Sequence, residues 1–129
     1  MASSLEKALE DTEASLKALK VLTENSYDSI LITDAIDGAK IIYANKAFKK
    51  LTGYDPEEVL GKTPKILQGP GTDKKEIARL AEALKNDSRF EGKAINYRKD
   101  GAPFIMQWRV LPVSVGLQTR FWIAIQREG

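Results

Sequence analysis

The C-terminal third of the chain most constrains the fold, because it reads as three strands in succession. Ile, Val, Phe and Trp are frequent across segments 91–98, 103–113 and 119–127 taken together. Within 104–110 the side chains alternate with the two-residue period of a strand. The pair Asp100-Gly101 separates the first two segments and is a strong hairpin signal. We therefore expect three neighbouring antiparallel strands in one sheet.

A second hairpin lies nearer the N-terminus. Apolar runs at 29–33 and 40–44 flank a turn at 34–38, which predicts two more antiparallel strands. Helical signals fill the chain between the two groups of strands. Two strands, several short helices and three strands predict an α+β fold, a five-stranded antiparallel sheet with helices on one face.

The predicted helices carry start signals. Asn45 is placed to cap one helix, and Asp55-Pro56 opens a second, short one. A longer helix is expected to begin at Thr72-Asp73, and its inward face is predicted to consist of Ile77, Leu80, Ala81 and Leu84. Between them, the Gly- and Pro-rich loop 61–71 is expected to border a cavity over the sheet.

Residues 1–24 form a separate segment with a heptad pattern. Its seam is spaced by three and four residues and consists of Leu5, Leu9, Thr12, Leu16, Leu19 and Thr23. We predict a coiled-coil-like amphipathic helix that ends before a domain at 26–127. The helix either folds back on its own domain or, as we favour, pairs with the same helix of a second copy.

The residue types that are missing exclude most catalytic chemistry. The chain has 129 residues, no Cys and no His, so it offers no thiolate, no imidazole ligand for zinc or heme, and no Ser-His-Asp relay. We expect neither an enzyme nor a metal site. The net charge of +2, from interspersed charges, gives no reason to expect nucleic acid. The absence of a long apolar run or a hydrophobic leader predicts a cytoplasmic protein without a membrane partner.

Several short motifs resemble those of PAS sensor domains. They are Ile41-Ile42-Tyr43-Ala44-Asn45, Leu51-Thr52-Gly53-Tyr54, Glu57-Glu58-Val59-Leu60-Gly61, Ile66-Leu67-Gln68 and Asn96-Tyr97-Arg98-Lys99-Asp100-Gly101. The resemblance covers about residues 26–127 and is closest to the light-oxygen-voltage (LOV) branch. It implies a ligand cavity between sheet and helices. It also implies a sensory, dimerising module attached to an output domain such as a kinase, a cyclase or a regulator.

Compared with the LOV pattern, the chain keeps some flavin-contacting positions and changes others. Pro64 stands where the photoactive Cys is expected, so we predict no cysteinyl adduct. A noncovalent FAD or FMN is the cofactor that the resemblance suggests. The resemblance implies a cofactor-binding set of Thr63, Lys65, Gln68, Asn96, Met106 and Gln126.

Three of these six residues, Gln68, Asn96 and Gln126, match the LOV pattern. Lys65 replaces an Arg that contacts phosphate, and Met106 replaces a second Asn.

Two functions stay open on this basis. The first is a sensory and dimerisation module that binds a small molecule and relays a change to its flanking helices, including a noncovalent flavin sensor as one form. The second is a ligand-free interaction domain whose cavity is filled by large inward residues such as Ile66, Phe104, Met106 and Trp108. Either would pair as a homodimer through the N-terminal helix and the sheet face.

Overall fold

A computed structural model describes residues 3–35 and 38–129. Its five strands form one antiparallel sheet in the order β2-β1-β5-β4-β3. The strands are β1 (Ser29–Asp34), β2 (Ile41–Ala44), β3 (Phe90–Tyr97), β4 (Pro103–Val115) and β5 (Gln118–Glu128). Both predicted hairpins and the predicted fold class are confirmed. The sheet places the two terminal segments of the domain side by side, because β1 and β5 pair at its centre.

Six helical elements accompany the sheet. They are α1 (Ser4–Ala8), α2 (Thr12–Glu24), α3 (Lys46–Thr52), α4 (Pro56–Val59), a 3₁₀ helix (Pro64–Leu67) and α5 (Lys74–Lys85). The predicted start signals are confirmed. The Asn45 side chain accepts a hydrogen bond from the Phe48 N–H at 3.2 Å, and Asp73 accepts from Lys75 N–H. Asp55 and Glu58 form a capping box around α4.

The core lies between the inner face of the sheet and the helices α3 to α5. Alternate residues of β4 point into it, so Phe104, Met106, Trp108 and Val110 are buried while their neighbours Ile105, Gln107 and Arg109 are exposed. From the helical side, the core receives Phe48, Val59 and Leu67, each at most 2% exposed. These contacts fix the sheet to the segment that carries the candidate site.

The N-terminal segment differs from the single helix predicted over 1–24. It forms two helices, because the Asp11 carboxylate accepts hydrogen bonds from the N–H groups of Glu13 and Ala14 and starts α2 anew. The first two residues lie outside the described part of the chain. The two helices are α1 and α2, and the contacts with the sheet described below are those of α2.

The prediction that Ala81 lies on the inward face of α5 is wrong. Ala81 is exposed, whereas Ala83 packs against the core together with Leu80 and Leu84. A helix turns by about 100° per residue, and the buried stripe is centred between Leu80 and Leu84 on the side away from Ala81. The pattern of apolar residues alone did not distinguish these two alanines.

No helix in the described ranges is long and apolar enough to cross a membrane. The same ranges contain no group of three or more acidic side chains placed to hold a metal ion.

Candidate functional site

The three predicted site residues on the sheet lie on its inner face. Asn96 is on β3, Met106 on β4 and Gln126 on β5, and all three are buried. Phe104 pairs with Asn96 and Trp108 pairs with Gln126 across the strands. The side chains of β4 therefore lie between the two amides that were expected to hold a ligand.

The other three predicted residues lie on the loop opposite the sheet. Thr63 precedes the 3₁₀ helix, Lys65 is within it and Gln68 follows it. Lys65 is exposed, whereas Thr63 and Gln68 are half-buried. The structure thus places the six residues on two sides of the core, three from the sheet and three from the loop, with Leu67 between them at 2% exposure.

The two buried amides already have partners within the protein. Gln126 Oε1 accepts a hydrogen bond from Ser29 Oγ at 3.0 Å. Asn96 Nδ2 donates to the carbonyl oxygen of Ala94 on its own strand, at 3.4 Å. The Asn96 Oδ1 accepts no hydrogen bond from the described residues. Within the described residues, each amide thus makes one of the four hydrogen bonds that an amide side chain can form.

The space between the amides is occupied by protein side chains. An empty cavity of flavin size would leave the residues lining it open to a water-sized sphere, yet Phe104, Met106 and Trp108 are 5%, 2% and 7% exposed. The Trp108 ring packs against that of Phe90, with centroids 5.4 Å apart. No fully buried side-chain nitrogen or oxygen lacks a partner within the described residues. The inner face of the sheet is therefore packed by the protein's own side chains.

The cations nearest the core are engaged elsewhere. Arg79 pairs with Glu76 at 2.6 Å and covers the ring of Phe90, and this ion pair holds the pKa of the Glu76 carboxyl below its usual range. Arg98 covers the ring of Phe104 and donates to the carbonyl oxygen of Leu51. These guanidinium groups therefore cover the rings of Phe90 and Phe104 at the edge of the core.

A polar cluster that the sequence did not reveal joins α2 to the sheet. Thr23, which the heptad pattern marked only as a weak seam position, is buried and lies 2.7 Å from the Tyr43 hydroxyl. That hydroxyl donates to Glu24 Oε1 at 2.5 Å. Burial, and then the contact with Glu24, raise the pKa of Tyr43. Asn45 Nδ2 donates to the Thr23 carbonyl oxygen at 2.6 Å, so the cap of α3 also anchors α2.

The outer face of the sheet carries an apolar groove of about 400 Å³. From α2 it is lined by Leu16 and Leu19, and from the sheet by Ile32, Ile42, Val113, Phe121 and Ile123. We call this surface the α2 groove. Leu16 and Leu19 remain 55% and 42% exposed although α2 lies over the sheet. An apolar surface of this kind is typical of an interaction site.

Residues 28–128 match the PAS domain family. Among solved structures, the LOV domain from the blue-light-activated histidine kinase of Erythrobacter litoralis EL346 aligns with a TM-score of 0.76 and 33% identity. That alignment covers 81% of this chain and 97% of the solved one. The chain belongs to the PAS family, in its light-oxygen-voltage branch. The predicted resemblance is confirmed, and the domain lacks the cysteine of an adduct-forming site.

Two further relatives place this PAS domain among parts of larger proteins. Phototropin-2 of Oryza sativa subsp. japonica is 41% identical over 97 residues, which are 74% of this chain and 10% of that protein. An RNA-binding light-oxygen-voltage receptor aligns with a TM-score of 0.83 and 28% identity, over 91% of this chain and 34% of the receptor. The chain thus spans a small part of these relatives.

Proposed function

We propose that this PAS domain is a dimerising relay module of a larger signalling protein. In this role it passes a change in the sheet to α2 and to an output domain, and it carries out no catalysis itself. The kinase and receptor named among its relatives support the signalling role. We further propose that its interior is filled by its own side chains, and the burial of Met106 and Trp108 supports this ligand-free form.

The observation that carries the proposal is the α2 groove. Leu16 and Leu19 continue the heptad seam of Leu5 and Leu9, and all four leucines are at least 42% exposed in a single chain. A second copy would present the same seam and the same sheet face, so the surface is complementary to itself, as a twofold interface requires. Covering the part of each leucine that is still exposed contributes about 0.6–2 kcal/mol.

Sedimentation equilibrium of the full chain tests the dimer. The double change Leu16→Glu and Leu19→Glu should raise the dissociation constant at least tenfold, because two carboxylates would be buried in an apolar interface. Leu22→Glu is the matched control, since Leu22 is on the same helix but outside the groove and 72% exposed. A full chain that stays monomeric at high concentration, or an equal effect of the control, would contradict the proposal.

Small-molecule sensing within the core is the second candidate. It is supported by the unused hydrogen-bonding groups of Asn96 and Gln126. In this candidate Asn96, Met106 and Gln126 contact the molecule from the sheet, and Thr63, Lys65 and Gln68 contact it from the loop. Native mass spectrometry of the purified chain distinguishes the two candidates, because a copurified molecule would add its mass to the protein.

A further inference from the structure

A cleft of about 220 Å³ lies where α3 meets the ends of β1 and β5. It is separate from the α2 groove and shares none of its lining residues. Its polar lining consists of Ser29, Lys50, Arg98, Gln126, Arg127 and Glu128, and we call it the Gln126 cleft. A water molecule occupies about 30 Å³ in the liquid, so the cleft is large enough for a small organic molecule.

The Gln126 side chain exposes a free donor at this cleft. Only 4% of Gln126 is exposed, and its Oε1 is occupied by the Ser29 hydroxyl. Its Nε2 has no partner among the described residues. Gln126 is otherwise enclosed and lines the Gln126 cleft, so an acceptor bound in the cleft would complete the hydrogen bonding of Nε2. A buried amide N–H group without a partner is a position that favours an acceptor.

The charged groups around the cleft carry one positive charge in excess. Arg98 pairs with Glu128 at 2.8 Å, and Arg127 pairs with Asp28 at 2.7 Å. Lys50 has no ion-pair or hydrogen-bond partner within the described residues. Each guanidinium also keeps N–H groups beyond those used in its ion pair. The unused groups are therefore mainly donors, and the uncompensated charge is that of Lys50.

We propose that the Gln126 cleft binds a small organic oxyanion, a carboxylate or a phosphate, held by Gln126 Nε2 and the Lys50 ammonium. Both anions offer several acceptor oxygens around one negative centre, and charge-assisted hydrogen bonds to such oxygens are stronger than neutral ones. The ligand would contact Gln126 from outside the core. This inference concerns binding alone and does not depend on the proposed dimer.

Nuclear magnetic resonance of the ¹⁵N-labelled full chain tests the site directly. The Gln126 side-chain NH₂ signals are identified by their loss in Gln126→Leu. Sodium succinate and sodium phosphate are then titrated separately, with sodium chloride at matched ionic strength as the reference. We expect one of the two probes to shift these signals saturably, and the probe that does so identifies the preferred oxyanion.

Two lysine variants decide whether the binding belongs to the cleft. Lys50→Met should weaken binding about three- to tenfold, because it removes one charged donor at a partly exposed site. Lys46→Met is the matched control, since Lys46 is exposed on the same helix and outside the cleft. Shifts that match those of sodium chloride, or an equal loss in Lys46→Met, would overturn the proposal.

Discussion

Replacing Asn45 should separate α2 from the rest of the domain. The side chain is fully buried, and its Oδ1 accepts hydrogen bonds from Ile30 N–H at 2.8 Å and Phe48 N–H at 3.2 Å. Its Nδ2 donates to the carbonyl oxygens of Thr23 at 2.6 Å and Asp28 at 3.1 Å. One amide thus joins the end of α2, the start of β1 and the first turn of α3.

The expected cost of Asn45→Ala follows from these four contacts. Loss of a helix cap costs about 1 kcal/mol. A buried backbone group left without a partner costs about 1–3 kcal/mol, and water can reach some of those released here. We expect a loss of about 3–5 kcal/mol in the free energy of unfolding, a large part of the ~5–15 kcal/mol that a domain has.

Asn45→Asp separates the acceptor contacts of this side chain from its donor contacts. A carboxylate keeps both acceptor contacts, so the cap of α3 remains. It faces the carbonyl oxygens of Thr23 and Asp28 without a proton to donate, so α2 should be released while the sheet stays folded. Hydrogen exchange of α2 amides measures this release, and urea unfolding followed by the fluorescence of the buried Trp108 and Trp122 measures the stability.

Asn86→Ala is the control, since Asn86 is exposed and its side chain contacts only Glu82, at 3.3 Å. It should change the free energy of unfolding by less than about 0.5 kcal/mol. A loss below 1 kcal/mol for Asn45→Ala, or unchanged exchange in α2 of Asn45→Asp, would refute the reasoning.

Two further predictions concern the core and the α2 contact. The purified chain mixed with FMN or FAD should emerge colourless from gel filtration. The double variant Trp108→Leu with Met106→Asn should retain flavin, measured as flavin absorbance per protein, because it opens the space above β4. Illumination should yield no cysteinyl adduct in either protein, since the chain has no Cys. Stoichiometric flavin in the unchanged chain would contradict this. The raised pKa of Tyr43 means that its contribution to stability is present below the unfolded value of about 10 and is lost as the pH rises through the folded-state pKa. The free energy of unfolding, measured with urea, should therefore fall as the pH is raised into the alkaline range. This fall should be smaller in Tyr43→Phe.

Local signals were sufficient to predict most of the fold. The alternation in β4, the Asp100-Gly101 turn and the caps at Asn45 and Asp73 each depend on a few neighbouring residues, and each is found where expected. The break before α2 was missed because the leucine repeat continues through Leu9, the C-cap of α1, and past Asp11, the N-cap of α2. A repeat of apolar residues carries no information about where a backbone turn interrupts it.

The candidate site was harder to predict, because its character depends on contacts between distant segments. The sequence showed that Asn96 and Gln126 match a cofactor-binding pattern, but not that Trp108 and Met106 would be buried in the same core cluster as Leu67 and Val59. Likewise, the partner of Gln126 is Ser29, at a separation of 97 residues. Neither fact follows from the pattern of residues along any one strand.

The central pairing of β1 with β5 gives the proposed relay a physical route. Gln126 bonds to Ser29, and the next residue, Ile30, donates its N–H to Asn45, which holds the carbonyl oxygen of Thr23 in α2. Ser29 and Ile30 are consecutive residues of β1, so a shift of β1 that changes the first contact also moves the second. In the proposed relay, a rearrangement at Gln126 would reach α2 through one strand, and α2 is the helix that lines the groove where a second copy would bind.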